Sequence, residues 1–428
     1  MIHSGAVGVS HTHVSLLPPA ASNALPAACS ILIIGAGPAG SACARVLAQA
    51  GLDVVLVDQQ PQGRDKICGD GLIPDSHAAL KRLGLLDQVM ARAQPVQHVA
   101  CIGPRGGRIE VPGTLAVLPR RELDEMLCQA AQDAGARFLA PARFEAPLED
   151  EQGRVCGARL KIGDQLHEIR ADWVILATGA VPKALTAAGL CERHTPSGVA
   201  LRGYVRAPSM VGRIKAMDVV WHESVRPGYG WIFPAPDGCF NIGVGVTDSH
   251  KAVGGKGEKK ELNLRAIFDA FVAHYPPAAE LMREGELVGE LKGAPLRCTL
   301  NGARWSRPGL LVTGEAAGST YSFTGEGIGK AMETGMLAAD AVLLGRSRDW
   351  QDAQVRAAYE ESLRALKPKF DLYERANRVN AHPWLVDLLI WRAKRSPRLV
   401  QRMSGVLNET SNPGNLISLR GFKRLFLE

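Results

Sequence analysis

The sequence predicts an α/β protein in which a parallel-sheet domain is interrupted by a smaller domain with a mixed β-sheet and followed by helices. Three observations support this prediction. A strand–turn–helix–strand pattern with a glycine-rich turn occupies residues 30–60. Short strand patterns dominate residues 191–298, and helical patterns dominate the chain from residue 346 onward. With 428 residues, the chain is long enough for two or three domains around a large core.

The first unit has the complete pattern of a βαβ motif. The apolar run Ile31 to Ile34 predicts a short, buried parallel strand, and the alanine-rich stretch 38–50 predicts a helix. A second apolar run, Val54 to Val57, predicts the neighbouring strand and ends on Asp58. We therefore predict a Rossmann-type dinucleotide-binding unit at the start of the first domain.

Three glycines in the first turn have separate mechanical roles in such a unit. Gly35 allows the tight turn, Gly37 lets a pyrophosphate approach the backbone, and Gly40 lets the helix pack closely on the strand. The pyrophosphate is expected on the free N–H groups of the helix start, while Asp58 accepts a hydrogen bond from a ribose hydroxyl. The alternative is a glycine-rich turn with a structural role only.

The rest of the first domain, residues 30–190 and 299–345, is predicted from apolar runs bounded by turn residues. A glycine-rich loop follows the second strand and ends near residue 74. The predicted helices are 76–83, a short one ending near 92, 120–134 and 325–344, and the predicted strands are 137–144, 155–162, 165–169, 173–177 and 309–313. Short strands within 96–118 are assigned to the sheet of the second domain.

The second domain and the two ends of the chain are predicted from changes in composition. Residues 191–298 are expected to form a mixed sheet, with strands at 200–205, 218–223 and 240–246 and one helix near 262–274. The first 28 residues contain no lysine or arginine and make a poor secretory signal peptide, so we predict that residues 1–29 form a mobile arm. Residues 346–428 are predicted to form a basic, helical C-terminal region.

The composition excludes several classes of protein. No apolar run approaches the roughly 18 residues that a membrane-spanning helix needs. The nine cysteines are dispersed without a CxxC pair, and the eleven histidines show no metal-ligand spacing. We therefore predict reduced thiols in the cytoplasm, with neither a disulfide framework nor a metal site.

Four further segments carry motifs. They are KICGDGL at 66–72, RRELD at 120–124, YGWIFP at 229–234 followed by Gly243 and Gly245, and GEAAGSTYSFTGEGIGKAMETG at 314–335. Together with the glycine turn, these segments resemble the geranylgeranyl reductase family of flavoproteins, which have the p-hydroxybenzoate hydroxylase fold. The loop at 66–72 is most similar to that of bacterial menaquinone reductases. The resemblance extends from residue 30 to about residue 413.

The resemblance implies that FAD is the bound cofactor, and it assigns roles to three groups of residues. The cofactor-binding residues are Gly35, Gly37, Ala39, Gly40, Asp58, Arg120, Gly314, Glu315, Gly325, Gly327 and Ile328. The catalytic residues are Cys68, Tyr229 and Trp231, and the substrate-binding residues are Gly69, Gly71, Phe233, Pro234, Gly243 and Gly245. Two positions depart from the family pattern, since Glu315 replaces an aspartate and Ser322 replaces a proline.

The chemistry of the second glycine motif and of the aromatic motif fits these roles. Gly325 and Gly327 leave unpaired N–H groups at a helix start, whose positive end can stabilise negative charge on a reduced flavin; a close packing turn is the alternative.

Tyr229, Trp231 and Phe233 alternate along a strand and therefore point to one face. That face is either an apolar substrate wall or part of a sheet core.

Cys68 lies in a glycine-rich loop rather than in a periodic core pattern. Its expected role is to shape the cavity or to deliver a proton, although free cysteine is most often a buried small hydrophobe. Lys66 and Asp70 flank it, and they either tune the pKa of its thiol or are solvated loop charges.

From these features we expect an enzyme that saturates C=C bonds of an apolar, isoprenoid substrate by hydride transfer from reduced FAD. The sequence shows no second glycine-rich nucleotide fold, so NAD(P)H is expected to visit transiently, and an electron-donor protein is equally allowed. One alternative is a flavin-dependent monooxygenase or halogenase acting on a small aromatic or carrier-bound substrate. A non-catalytic flavoprotein is the other.

The net charge of +7 is concentrated in the C-terminal region, where thirteen lysine and arginine residues follow residue 363 against five acidic ones. The stretch 384–391 is amphipathic, has tryptophan at both ends and is followed by four cations, a pattern typical of a helix at a membrane surface. We therefore expect peripheral contact with the inner face of the membrane; packing of this helix on the first domain is the alternative. No nucleic-acid-binding motif accompanies the charge, so no nucleic-acid partner is expected.

Overall fold

The computed structural model describes residues 25–247, 262–408 and 410–411. Most of the predicted N-terminal arm, residues 1–24, therefore lies outside the described residues. The last two residues assigned to the arm, Ala28 and Cys29, instead belong to the first strand, where they pair with Arg170 and Ala171. The first strand thus begins two residues before the predicted domain boundary.

The described chain is organised as strands and helices numbered here in chain order. The strands are β1 (Ala28–Ile34), β2 (Val54–Val57), β3 (Gly71–Leu72), β4 (Gln94–Ile102), β5 (Arg108–Val117), β6 (Arg137–Leu139), β7 (Arg143–Glu149), β8 (Val155–Ile162), β9 (Gln165–Leu176), β10 (Gly198–Arg206), β11 (Met217–Val220), β12 (Gly228–Pro234), β13 (Cys239–Thr247), β14 (Glu286–Leu296), β15 (Ser306–Arg307) and β16 (Leu310–Val312). The helices are α1 (Pro38–Gln49), α2 (Pro74–Arg82), α3 (Leu86–Met90), α4 (Arg120–Asp133), α5 (Lys183–Ala187), α6 (Leu264–His274), α7 (Pro276–Glu284), α8 (Ile328–Ser347), α9 (Asp352–Ala376), α10 (Arg378–Ala381), α11 (Trp384–Ala393) and α12 (Pro397–Leu407).

The first sheet has a parallel core with the strand order β6–β2–β1–β9–β16. Ile33 of β1 pairs with Leu56 on one side and with Ile175 on the other. The second half of β1 is buried on both faces, which explains why its sequence is apolar without alternation. The carboxyl ends of β1, β2 and β9 meet at one edge, where ligands bind in open parallel sheets.

Four local predictions differ from the structure. In the second domain, one helix was predicted near 262–274, and the described residues form two, α6 and α7. The strands predicted at 165–169 and 173–177 form one strand, β9, because residues 170 and 171 go on pairing with β1. The strand predicted at 137–144 is divided into β6 and β7 around Pro141, which cannot donate a ladder hydrogen bond. The helix predicted from residue 325 begins at Ile328, because a glycine turn precedes it.

The second sheet is mixed, with the strand order β14–β10–β13–β12–β11–β4–β5–β3. β4 joins it through a parallel pairing with β11 and brings β5 with it. One face packs on α6 through apolar residues such as Ile232, Ile242 and Phe271. Because side chains alternate along β12, Trp231 lies on the opposite face, next to Gly69 of the first domain.

Helices α11 and α12 pack on the β4–β5 hairpin. Two glycines of this hairpin make room for them, since a Cβ atom at Gly107 would lie 3.3 Å from Ile390 and one at Gly113 would lie 2.8 Å from Leu407. Helix α11 therefore packs one face on strands of the second sheet, whereas the packing alternative had placed it on the first domain. Among the residues described, no helix combines the length and the apolar character needed to cross a membrane.

Candidate functional site

A continuous cavity of about 980 Å³ joins the carboxyl edge of the parallel sheet to the mixed sheet and the C-terminal helices. Most residues of all three predicted groups line it, including Cys68. Those that do not are Gly40, Gly314, Pro234 and Gly243. The tertiary structure thus brings the predicted cofactor, catalytic and substrate residues together around one space.

In the glycine turn after β1, the fold itself requires glycine at positions 35 and 40 but not at position 37. Gly35 has a φ of 107°, and a Cβ atom at Gly40 would overlap the carbonyl oxygen of Gly35. A Cβ atom at Gly37 would have the Arg120 guanidinium, 4.0 Å away, as its nearest non-neighbouring contact. The space beside Gly37 therefore fits a group that is not part of the protein, such as a pyrophosphate on the turn.

Polar groups next to this turn are also arranged for a ligand. Asp58 accepts hydrogen bonds from the N–H groups of Ala36 at 2.8 Å and Gln60 at 2.9 Å, which fix its carboxylate and leave lone pairs for a ribose hydroxyl. The hydroxyl of Thr178 lines the same cavity and is buried without a hydrogen-bond partner among the described residues. Buried hydroxyls are normally paired, so this one fits a site in which the ligand provides the partner.

Arg120 and Glu315 line the cavity in fixed orientations. The Arg120 guanidinium forms two hydrogen bonds with Asp124, of 2.7 and 2.8 Å, one helical turn further along α4. Glu315 lies 3.8 Å from the ammonium group of Lys66. The glutamate, which is longer than the aspartate of the family pattern, thus forms an ion pair with a lysine of the Cys68 loop.

Two of the predicted cofactor residues, Gly314 and Ala39, lie next to each other at this part of the cavity. Gly314 has a φ of 64°, and a Cβ atom there would lie 2.6 Å from the Cβ of Ala39. Gly314 thus permits the close packing of the two motifs, whereas Ala39 itself reaches the cavity.

The second glycine turn forms another part of the cavity wall. Gly325 has a φ of 71°, and the carbonyl of the preceding residue, Thr324, accepts a hydrogen bond from the Tyr229 hydroxyl. Helix α8 starts at Ile328 without a side-chain cap, and both Ile328 and Gly327 line the cavity. The uncapped N–H groups and the helix dipole can stabilise negative charge there.

Cys68 lines the cavity between the two glycine turns and the mixed sheet. Its sulfur accepts a hydrogen bond of 3.3 Å from the Asp70 N–H group. Burial raises the pKa of the Cys68 thiol, so the thiol keeps its proton at neutral pH. Gly69 and Gly71 let this loop approach the sheet, because Cβ atoms there would lie 3.1 Å from Phe233 and 2.6 Å from Met217.

The aromatic side chains of β12 form one wall of the cavity, with ring centroids 6.2 Å apart for Tyr229 and Trp231. In the register of β12 and β13, these two residues pair with Gly245 and Gly243. A Cβ atom at Gly243 would overlap the Trp231 ring, so this glycine makes room for the indole. The cross-strand pairing thus explains the spacing between the aromatic motif and the two glycines. Pro234, at the end of β12, lies outside the lining.

The C-terminal helices complete the cavity with apolar side chains. Leu385 and Leu389 of α11 and Met403 and Leu407 of α12 line it. The sequence prediction did not assign these residues to the site, because they follow no motif and lie far from the other lining residues in the chain.

A polar cluster at the Cys68 loop was also missing from the predicted site. It consists of Asp70 of the loop itself, the buried Arg202 and Asn241 of the mixed sheet, and the half-buried Tyr204. Asp70 is fully buried, so the alternative that it is a solvated loop charge is wrong. Burial raises the pKa of the Asp70 carboxyl to about 6, although Arg202 and the hydrogen bonds from Tyr204 and Asn241 act in the opposite direction. A polar residue within an apolar run, such as Asn241 in CFNIGVGV, is the signal that could have indicated this cluster.

The chain is similar to known proteins in both sequence and structure. Residues 28–223 match the family described as FAD binding domain. The chain is 33% identical over 344 residues to a menaquinone reductase of Mycolicibacterium smegmatis, which covers 76% of this chain and 78% of that protein. It is 28% identical over 340 residues to digeranylgeranylglycerophospholipid reductase 1 of Methanopyrus kandleri, covering 77% of this chain and 84% of that protein.

A solved structure extends this likeness to the whole fold. The geranylgeranyl bacteriochlorophyll reductase-like protein from Thermoplasma acidophilum matches with a TM-score of 0.75 and 21% identity, over 93% of this chain and 98% of that one. The predicted α/β fold, with an FAD-binding domain of the p-hydroxybenzoate hydroxylase type, a mixed sheet and C-terminal helices, is thereby confirmed. The chain belongs to the geranylgeranyl reductase family of FAD-dependent oxidoreductases.

Proposed function

We propose that this protein saturates carbon–carbon double bonds in the hydrocarbon chain of an isoprenoid substrate. The observation that carries the proposal is the continuity of one cavity from the Gly37 turn to the aromatic wall of β12. A cofactor on the turn and an apolar chain against the wall would share this space. The relatives support the substrate class, since one is named as a menaquinone reductase and another as a digeranylgeranylglycerophospholipid reductase.

The residues that would hold FAD lie along the first-domain side of the cavity. We assign its pyrophosphate to the turn at Gly35 and Gly37, a ribose to Asp58 and its reactive ring to the side that includes the start of α8. Arg120 and Glu315 also line the first-domain side of the cavity, and we assign them to the same cofactor site. When bound, FAD supplies the hydride for the reduction.

The other side of the cavity would bind the substrate and control the proton. The aromatic row of β12 and the apolar residues of α11 and α12 exclude water from the reacting carbons. Addition of a hydride to one alkene carbon leaves its neighbour in need of a proton. Cys68 is our candidate donor, because its thiol lines the cavity and retains its proton.

We further propose that the electrons reach the cofactor from a transient partner, either NAD(P)H or an electron-donor protein. The test of the reaction itself can bypass this partner. Purified FAD-loaded protein, reduced by dithionite under anaerobic conditions and incubated with a menaquinone and with a geranylgeranyl lipid, is expected to add two hydrogen atoms per reduced double bond. Mass spectrometry of the extracted lipid measures this gain.

The same experiment separates the proposal from its main alternative. A reductase works without oxygen, whereas a flavin-dependent monooxygenase or halogenase is inactive in anaerobic conditions. A product that carries an added oxygen or halogen atom only after aeration would contradict the proposal. Protein heated until it loses FAD is the control for reduction by dithionite alone.

We also propose that α11 contacts an anionic membrane surface, from which the substrate enters. Trp384 and Trp391, at the two ends of α11, are 56% and 50% exposed, although neighbouring residues of this helix are buried. Arg395 stacks on Trp391 with a distance of 4.6 Å, so a cation and an aromatic ring lie side by side on the surface. This arrangement suits the headgroup region of a bilayer.

The paired change Trp384→Ala and Trp391→Ala is expected to reduce binding to vesicles of phosphatidylcholine and phosphatidylglycerol by about tenfold, because the ring surface no longer enters the interface. Cosedimentation measures the bound fraction. Leu166→Ala, which alters a 60% exposed apolar residue of β9, is the control and should bind like the unaltered protein. Equal binding of all three proteins would contradict the membrane contact.

A further inference from the structure

The loop that carries Cys68 is held mainly by polar side chains of the mixed sheet. Arg202 of β10 is 1% exposed, and its guanidinium donates to the backbone carbonyls of Cys68 at 3.2 Å and of Lys66 at 2.8 Å. It also pairs with the Asp65 carboxylate at 2.8 Å and lies over the ring of Tyr204 at 4.2 Å. Arg202 therefore connects the loop to the second domain at three points.

Asn241 of β13 makes a second connection, and it also contacts the aromatic wall. Its side-chain nitrogen donates to the Cys68 carbonyl at 2.8 Å and to the Asp70 carboxylate at 2.7 Å. Its side-chain oxygen accepts the indole N–H of Trp231 at 2.8 Å. The residue is 0% exposed, so these bonds are shielded from bulk solvent.

The chemistry of the three neighbours selects a carboxamide at this position. The indole N–H can only donate, so an acceptor must face Trp231. A backbone carbonyl and a carboxylate can only accept, so a donor with two hydrogens must face Cys68 and Asp70. Aspartate would supply the acceptor without the donors, and leucine would supply neither. An asparagine side chain meets all three requirements in the observed geometry.

Asp70 fixes the other end of this arrangement. Its carboxylate accepts a hydrogen bond from the Tyr204 hydroxyl and one of 3.3 Å from the backbone N–H group of Arg120. These add to the hydrogen bond from Asn241. Its φ of 64° directs the chain sharply between Gly69 and Gly71. The loop is thus held at Cys68 and at Asp70, on both sides of Gly69.

We propose that Asn241 is a positioning residue that sets the Cys68 loop against the Trp231 indole and so holds the thiol at a fixed place in the cavity wall. The carboxamide couples the two domains at the point where they meet the cavity. This inference deepens the proposed function. It rests on that function in one respect, since the link between the Cys68 loop and Trp231 affects turnover only if the thiol and the indole face the reacting atoms.

Alkylation of Cys68 by iodoacetamide, followed by peptide mass spectrometry of the FAD-loaded protein, tests the positioning directly. In Asn241→Leu the loop loses two hydrogen bonds from the sheet, so Cys68 should become more exposed and its alkylation rate should rise about tenfold. Cys156 of β8 is the internal reference and should react at an unchanged rate. Thr247→Val, another buried polar residue of β13 that donates to Asn377, is the matched control and should leave Cys68 unchanged.

Two further measurements keep the result interpretable. Trp231→Phe keeps an aromatic side chain in the wall but removes the indole N–H together with part of the ring. Because Asn241 loses this partner, the change should raise Cys68 alkylation by two- to threefold, and it tests the inference even if Asn241→Leu does not fold. In turnover, Asn241→Leu should lower kcat about tenfold with little change in KM, because substrate contacts are retained while the thiol is displaced.

The outcomes separate the inference from the proposed function. An unchanged Cys68 alkylation rate in both variants overturns the inference, whatever substrate the enzyme reduces. Faster alkylation in a protein that reduces no isoprenoid supports the inference and contradicts the proposed function alone.

Discussion

Gly37→Val is expected to yield a folded protein that binds FAD at least about 100-fold more weakly than the unaltered chain. The nearest contact of a Cβ atom at Gly37 is the Arg120 guanidinium, 4.0 Å away, so the fold itself has room for a side chain. The room lies where a pyrophosphate must approach the backbone, and branched carbon atoms there would exclude it. Flavin fluorescence during titration of the deflavinated protein measures the dissociation constant, and circular dichroism measures the fold.

Two other glycines make this prediction specific. Gly293→Val, on the exposed strand β14, adds the same atoms where the nearest contacts would be 3.6 and 3.9 Å away, and it should bind FAD normally. Gly40→Val should fail to fold, because its Cβ atom overlaps the backbone of Gly35. FAD binding by Gly37→Val within threefold of the unaltered protein would show that the cofactor does not lie on this turn.

Cys68→Ala should retain FAD and lose turnover by at least about 100-fold, the lower range for removal of a general acid. The thiol lines the cavity, and burial raises its pKa, so it keeps its proton. Under the proposed function, this is the proton that the alkene carbon next to the site of hydride addition receives. Alanine removes the donor and leaves the hydrogen bonds to the Cys68 carbonyl in place. Anaerobic single-turnover assays with dithionite-reduced protein measure the rate.

Cys239→Ala is the matched control for this change. Cys239 begins β13, is partly buried and does not line the cavity, so its loss should leave the rate within twofold. A Cys68→Ala protein that turns over at the normal rate would remove the thiol from the proton transfer. Cys68 would then act through the shape of the cavity alone or have no role in the reaction.

Local patterns in the sequence predicted the α/β fold and the glycine turns. The apolar runs at 31–34 and 54–57 form the second half of β1 and the whole of β2, because strand segments buried on both faces need apolar residues at every position. The motifs were sufficient to identify the family, which the comparisons confirmed. The individual roles of the cofactor, catalytic and substrate residues stay predictions, although most of these residues line one cavity.

The sequence was less informative where a role depends on neighbours distant in the chain. Asp70 had two possible environments until the fold placed it against Tyr204 and Asn241. Gly243 was predicted from a motif to bind substrate, and only the fold shows that it makes room for Trp231, because the two residues pair across neighbouring strands. The apolar residues of α11 and α12 carry no motif, since many apolar side chains can form a cavity wall.

The sequence by itself determined the dinucleotide turn, the aromatic strand and the membership of a flavoprotein family. These features depend on residues that are adjacent or a few positions apart, whose backbone conformation and side-chain direction follow from local chemistry. Only the tertiary structure decided how the thiol loop is held, since the bond from Asn241 to Cys68 spans 173 positions of the chain. Such a contact forms when two domains pack, and no local pattern specifies which distant residues will then meet.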